Sequence, residues 1–236
     1  MKTITLILLG TGLFMAAVQS NAATLASYTF EYATDAADAW KASGVVSSLT
    51  ASDISFGNAT LQSGTSIAHT TSDTTGWYAK VQSSVLTDNS TTAKNNNNYI
   101  ELTITAASGS TFSVTALSFD GQIQGAGLYI YTGVYISTDG VNFGDRLTGP
   151  TLNPSNASTL TSFTAGNLGS LDNLTRVTLR LYFHAINKAE TRYFYLDNLK
   201  IEGSVSQSGV PESSTWAVIA GGVCLGLVLV WRRFCF

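Results

Sequence analysis

The chain has 236 residues, 12 Lys and Arg against 15 Asp and Glu, and a formal net charge of −3 at pH 7. Its body carries no run of Lys or Arg, which excludes a nucleic-acid partner, since affinity for phosphate needs concentrated positive charge. Both cysteines, Cys224 and Cys235, sit near the C-terminus, so no disulfide can staple what precedes them and a hydrophobic core must hold the fold.

At the N-terminus Lys2 precedes an apolar stretch from Ile4 to Val18, and Ser20-Asn21-Ala22 supplies the small-x-small pattern of a signal-peptidase site. Residues 1–23 therefore read as a secretory signal peptide, and residues 24–205 as one exported domain large enough for its own core. Scarce charge and abundant Ser, Thr, Asn, Gly and Tyr favour strands over helices. Leu25 to Tyr32 opens as a strand, and Ala33 to Lys41 is the one helical turn or loop of any length. Ile54 to Phe56, Ser66 to His69 and Trp77 to Val81 are short strands, and Thr87 to Asn98 is a polar, Asn-rich loop.

Ile100, Leu102 and Ile104 then alternate with Glu101, Thr103 and Thr105, the period of a half-buried strand. Ser108-Gly109 turns the chain into Phe112, Val114, Leu117 and Phe119, and the slip of phase at Ala116 predicts a bulge. Leu128 to Ser137 is the next strand, with Asp139-Gly140 as a tight hairpin turn into Val141-Asn142-Phe143. That turn resembles the Asp-box hairpin of sialidases but is one residue short in spacing, and reads as a plain turn. Thr159 to Phe163, Thr175 to Ala185 and Arg192 to Glu202 complete the strands; in the last, Phe194 and Leu196 give way to Leu199 and Ile201 across Asp197-Asn198. Residues 206–209 form a small, polar linker.

The final stretch, residues 210–236, holds Val210-Pro211-Glu212-Ser213, an uncharged run between Trp216 and Trp231, and then Arg232-Arg233. The run suits a single transmembrane helix, with Trp at both headgroup levels and the Arg pair on the cytoplasmic side. This order of Pro-Glu, apolar span and basic cluster resembles the PEP-CTERM sorting signal of exported bacterial proteins. Pro211 and Glu212 match its first two positions and Arg232 and Arg233 its basic end, while Ser213 stands where the family has a second Pro. The resemblance implies a partner, the exosortase-type membrane protease, and at least transient anchoring of a body held in the periplasm or at the cell surface. An ordinary uncleaved anchor is the rival reading.

Many short strands without alternating helices predict an all-β fold, an antiparallel two-sheet sandwich. The body is similar to the jelly-roll, galactose-binding-like modules of exported bacterial proteins and carbohydrate-binding modules, on its strand count and its long last strand with Tyr195-Leu196-Asp197-Asn198. In related modules a structural Ca²⁺ joins the ends of the sandwich, and Glu31 and Asp197 occupy the corresponding places. Two solvated strand-end acids would look the same in sequence.

The chemistry is that of recognition and not of catalysis. His69 and His184 have no metal-ligand spacing, and the chain has no nucleophile elbow and no phosphate-cradling loop. Glu31, Glu101, Asp120, Glu190 and Asp197 are ordinary strand carboxylates, so no enzyme is expected. If Leu128, Ile130, Val134 and Ile136 face the core, then Tyr129, Tyr131 and Tyr135 face outward. The same alternation turns Arg180, Tyr182 and His184 outward, and Tyr193 and Tyr195 on the last strand. Aromatic rings stack on sugars while Arg, His and hydroxyls direct hydrogen bonds, so these eight residues are the candidate polysaccharide-binding surface. Tyr and Arg also stabilise sheet surfaces without any ligand. Two functions remain open from sequence: a surface or matrix-associated structural protein sorted by its tail, or a carbohydrate-binding module delivered by the same route.

Overall fold

Alternation does most of the sorting in this fold, because each strong strand sends one side of its residues to a shared core. The computed structural model describes residues 22–31, 36–69, 77–144, 147–152 and 161–207. The stretch expected to be a signal peptide, through residue 21, and the expected sorting residues Val210, Pro211, Glu212, Ser213, Arg232 and Arg233 lie outside the described residues. No helix among the described residues is long and apolar enough to cross a membrane.

Among the described residues, thirteen β-strands form two antiparallel sheets. In the first, β8 (Ser110–Gln124) lies between β11 (Thr161–Leu174) and β13 (Tyr193–Gln207). The other edge of β13 is shared: β6 (Trp77–Gln82) pairs with Tyr193 to Leu196, and β1 (Ala23–Tyr28) with Leu199 to Gly203. Beyond them lie β5 (Thr65–His69) on β6 and β2 (Gly44–Val45) on β1. The second sheet runs β10 (Leu147–Leu152), β9 (Tyr129–Ser137), β12 (Arg176–Ile186) and β7 (Tyr99–Ala106). β3 (Leu49–Ala51) and β4 (Ser55–Phe56) share the outer edge of β7.

Val177, Leu179, Leu181 and Phe183 of β12 are buried against Leu117, Phe119, Phe194, Leu199 and Ile201 of the first sheet. Phe183 and Phe194 meet across the interior with ring centroids 5.4 Å apart. Gly203 is required where β13 crosses β8, since a Cβ there would lie 1.8 Å from the Ser113 carbonyl oxygen. The expected bulge falls at Thr115, the extra residue of β8 between the pairs Ala116–Glu202 and Val114–Gly203. The slip at Asp197-Asn198 is a second bulge, with Asn198 at φ +48°, a left-handed conformation that Asn tolerates.

Several elements differ from the sequence expectation. The Asn-rich segment holds a helix, α2 (Ser90–Asn95), and a similar one, α1 (Ala59–Ser63), precedes it. Both are started by Asn caps: Asn58 Oδ1 accepts from Leu61 N at 2.7 Å and Asn89 Oδ1 from Thr92 N at 2.8 Å. A 3₁₀ turn spans Ala36–Trp40, inside the segment where a helical turn or loop is expected. Val141 to Phe143 is not a strand, because Asp139 takes the donors a ladder would use, accepting from the backbone N–H groups of Val141 and Asn142 at 2.8 Å each. Those bonds hold the Asp139 carboxyl well below the usual carboxylate range, the Asn142 N–H contributing most. The chain resumes pairing only at β10. β13 continues to Gln207, two residues into the stretch that composition marks as linker.

Candidate functional site

The outer face of the second sheet gathers six of the eight candidate residues in adjacent register. Tyr129 lies opposite Ile186, Tyr131 opposite His184, and Tyr135 opposite Arg180, which in turn faces Glu101 of β7. Tyr182 lies between Gly133 and Tyr99. Sequence alternation placed these six on one face, and there they are.

They do not share one environment. Asn98, itself buried, donates from Nδ2 to the Phe183 carbonyl at 3.3 Å and draws the α2 segment over β12. Ala93 of α2 then packs on Tyr135 and Tyr182, leaving them 9% and 7% exposed, with Tyr99 and Phe143 closing the cluster. Arg180 is held within it: Nε donates to Glu101 Oε2 at 2.6 Å, and the guanidinium lies 4.3 Å from the Tyr99 ring and 3.8 Å from that of Phe143. Burial raises the Tyr182 and Tyr99 phenols above their ordinary pKa, more than Arg180 lowers them. This half of the face is a packed, internally satisfied polar–aromatic plug.

Beyond the reach of α2 the face opens. Tyr131 and His184 stand parallel across β9 and β12, with centroids 4.9 Å apart and planes at 11°. Tyr129 is 38% exposed one step along, beside the exposed Ile186. The result is an apolar strip next to a ledge bearing a phenol and an imidazole, groups that give and take hydrogen bonds.

Tyr193 and Tyr195 belong elsewhere. β13 is in the first sheet, so they lie on the opposite outer face of the sandwich. There Lys80 Nζ covers the Tyr193 ring at 3.8 Å, and Tyr195 is buried against Tyr78 at 4.7 Å with its hydroxyl bonded to Gln124. Burial, helped by Tyr78 and Tyr193, pushes the Tyr195 phenol up to about 12.

Asp197 is 3% exposed, and burial pushes its carboxyl up to about 7, aided by the nearby charges of Asp120 and Glu31. The Asn198 backbone N–H donates to Asp197 Oδ1 at 2.7 Å, and its Nδ2 to Asp120 Oδ2 at 2.8 Å and Asp197 Oδ2 at 3.3 Å. Asn198 thus joins Asp120 to Asp197, while Glu31 reaches the pair only as a nearby charge. No three such side chains stand at metal-ligand spacing among the described residues. Asn198 Nδ2 donates to both aspartates in the arrangement seen.

Sequence reading missed a cleft of about 520 Å³ lined by Trp40, Ile54, Ser55, Phe56, Gln62 and Thr65. Its residues come from a 3₁₀ turn, a two-residue strand and the residue before it, a one-turn helix and an edge strand, none of which has a readable period. Trp40, an aromatic among Ala, Asp and Lys, was the only signal.

No family model matches the sequence, and no curated protein matches it. Solved structures with some likeness are carbohydrate-binding-module β-sandwiches. The second family 22 module, the xylan-binding domain of Paenibacillus barcinonensis Xyn10C, is 13% identical with a TM-score of 0.36, over 75% of this chain and 98% of that one. The family 11 module of the cellulosomal cellulase Lic26A-Cel5E from Clostridium thermocellum is 16% identical with a TM-score of 0.33, over 69% and 91%. TmCBM61, solved with β-1,4-galactotriose, is 9% identical with a TM-score of 0.33, over 67% and 90%.

Proposed function

We propose that this protein is an exported carbohydrate-binding module of jelly-roll type, whose ligand lies along Tyr129, Tyr131 and His184. The observation that carries this reading is the half-buried Tyr131–His184 ledge with the exposed Tyr129 beside it, next to the part of the sheet face that α2 and Phe143 cover. An aromatic strip covers the apolar face of a sugar ring, and the phenol and imidazole select its hydroxyls. Tyr135, Arg180 and Tyr182 serve as the foundation of the surface, because their polar and apolar surfaces are already engaged. Binding is favoured over hydrolysis because Glu101 is committed to Arg180, and Asp120 and Asp197 share one amide on the other sheet.

The test is a glycan array with the full chain, kept in a polyoxyethylene detergent that carries no sugar. Tyr129→Ala and Tyr131→Ala weaken the best signal at least ten-fold, while Tyr193→Ala leaves it unchanged. A blank array, or binding that survives both substitutions, removes the reading.

Delivery is the second part of the proposal. The Pro211-Glu212 pair, the apolar run and Arg232-Arg233 support export and processing by an exosortase-type protease, which leaves the module at the surface or in an extracellular matrix. Mass spectrometry of the mature C-terminus, from cells with and without that protease, tests it. Full-length protein in the inner membrane of both strains counts against sorting.

A further inference from the structure

The cleft around Trp40 lies on the side of the sandwich, between an edge strand of each sheet, and is separate from the Tyr131 ledge. β4 borders it from the second sheet and β5 from the first, with α1 between them. Its aromatic wall is built in sequence: Phe30 meets Trp40 edge-on at 5.8 Å, and Trp40 meets Phe56 edge-on at 5.1 Å. The Ile54 backbone N–H donates to the Trp40 carbonyl at 2.8 Å, fixing the turn that carries the indole. Phe30 holds this place in a left-handed conformation, φ +56°, which is costly for a residue with a Cβ and persists only where its surroundings impose it.

Three polar groups of the walls remain uncommitted. The Trp40 indole N–H, the Ser55 hydroxyl and the Gln62 amide have no hydrogen-bond partner among the described residues, and no buried polar side-chain atom is left unpaired, so they face water. Thr65 Oγ1 donates to the Leu61 carbonyl at 2.7 Å and keeps its lone pairs for a donor from outside. None of the six described residues that line it is ionisable, which argues against a phosphate, a carboxylate or a cation as ligand. A volume of about 520 Å³ falls in the range of small-ligand sites. An aromatic wall, one amide and two hydroxyls, with no charge among the described residues, suit a ring that is apolar on its face and hydroxylated at its rim.

We propose that this cleft is a second saccharide site, taking a short neutral oligosaccharide with a ring against Trp40 and hydroxyls on Gln62, Ser55 and Thr65. The proposal takes its ligand chemistry from the cleft's own walls and stands or falls apart from the ledge. If both hold, the module is bivalent and gains avidity on a polysaccharide that presents both sites at once.

The experiment is ¹⁹F NMR of the full chain labelled with 5-fluorotryptophan, in the same sugar-free detergent. The chain has 4 Trp, and the Trp40 signal is the one lost in Trp40→Phe. Cellotetraose, xylotetraose and β-1,4-galactotriose are the probes, each titrated to saturation or to solubility. At least one shifts the Trp40 signal along a saturating curve that is unchanged in Tyr131→Ala and displaced about ten-fold to higher concentration in Gln62→Ala. No shift with any of the three, or a curve unmoved by Gln62→Ala, overturns the proposal. A Trp40 response that disappears in Tyr131→Ala overturns it while sparing the ledge. A normal Trp40 response in a protein whose array binding ignores Tyr131→Ala does the opposite.

Discussion

Replacing Asp197 by Asn removes a buried charge, and its effect is set by pH. The folded carboxyl titrates at about 7, while in the unfolded chain it returns to its ordinary value near 3.8. Below pH 4 both states hold the proton, and the group contributes nothing to the pH dependence. From pH 4 to 7 the unfolded chain releases a proton that the folded chain retains, so stability falls by about 1.4 kcal/mol per pH unit through this group. Above pH 7 the loss levels off, at roughly 4 kcal/mol as an upper figure, a large share of the 5–15 kcal/mol typical of a domain. Urea unfolding with EDTA present, at pH 5 and pH 8, measures it. Asp197→Asn should be more stable than the native protein at pH 8, with the difference shrinking at pH 5 and nearly gone at pH 4. A variant equally destabilised at both pH values would refute the reasoning, since it would mean that Asp197 serves the fold through its hydrogen bonds and not against it through its charge. Repeating the pH 8 series with CaCl₂ in place of EDTA tests the expected ion. A native midpoint raised by calcium, with that of Asp197→Asn left in place, would restore the ion that the resemblance implies, because a ligand stabilises only a fold that binds it. A native midpoint unmoved by calcium removes the ion from the account.

Arg180→Ala should lower stability by about 2 kcal/mol, through the lost Glu101 pair and the lost packing between Tyr99 and Phe143, and leave glycan affinity within two-fold. Thermal unfolding and the array together check both halves. Gly203→Ala should cost about 3 kcal/mol, because the new methyl group meets a backbone carbonyl that cannot turn aside; urea unfolding reads it directly. Asn89→Ala should cost about 1 kcal/mol and speed hydrogen exchange in α2 before the strands, since the cap serves that helix alone.

What could be read in advance followed from period. β7, β12 and the first part of β13 alternate so strongly that their inward and outward residues were legible one by one, and both breaks of phase proved to be bulges, at Thr115 and at Asn198. Period two fixes the face of a strand but not the sheet it joins, which is why Tyr193 and Tyr195 could not be told apart from Tyr129 and Tyr131. The short helices were illegible because one turn has no repeat to detect, and Asn58 and Asn89 resemble any turn Asn until their carbonyl oxygens are seen to cap. β10 passes through Gly149-Pro150 and β11 through Gly166 and Gly169, residues that ordinarily argue against a strand. The burial of Tyr135 and Tyr182 depends on Ala93 and Phe143, both remote from them along the chain or in a separate element.

The long last strand has a geometric consequence. Gln207 pairs with Ser110 at one extremity of β13, close to where Ala23 begins β1, while Tyr193 starts the strand roughly 45 Å away at 3.3 Å per residue. β12 ends at Ile186 just before the turn into Tyr193, so His184, Tyr131 and Tyr129 lie toward that far extremity, as does Thr65, paired to β6 opposite Phe194. Anything holding the protein through residues beyond Gln207 would grip it by its heel. Both proposed recognition surfaces would then be carried at the toe, pointing outward from whatever the protein stands on.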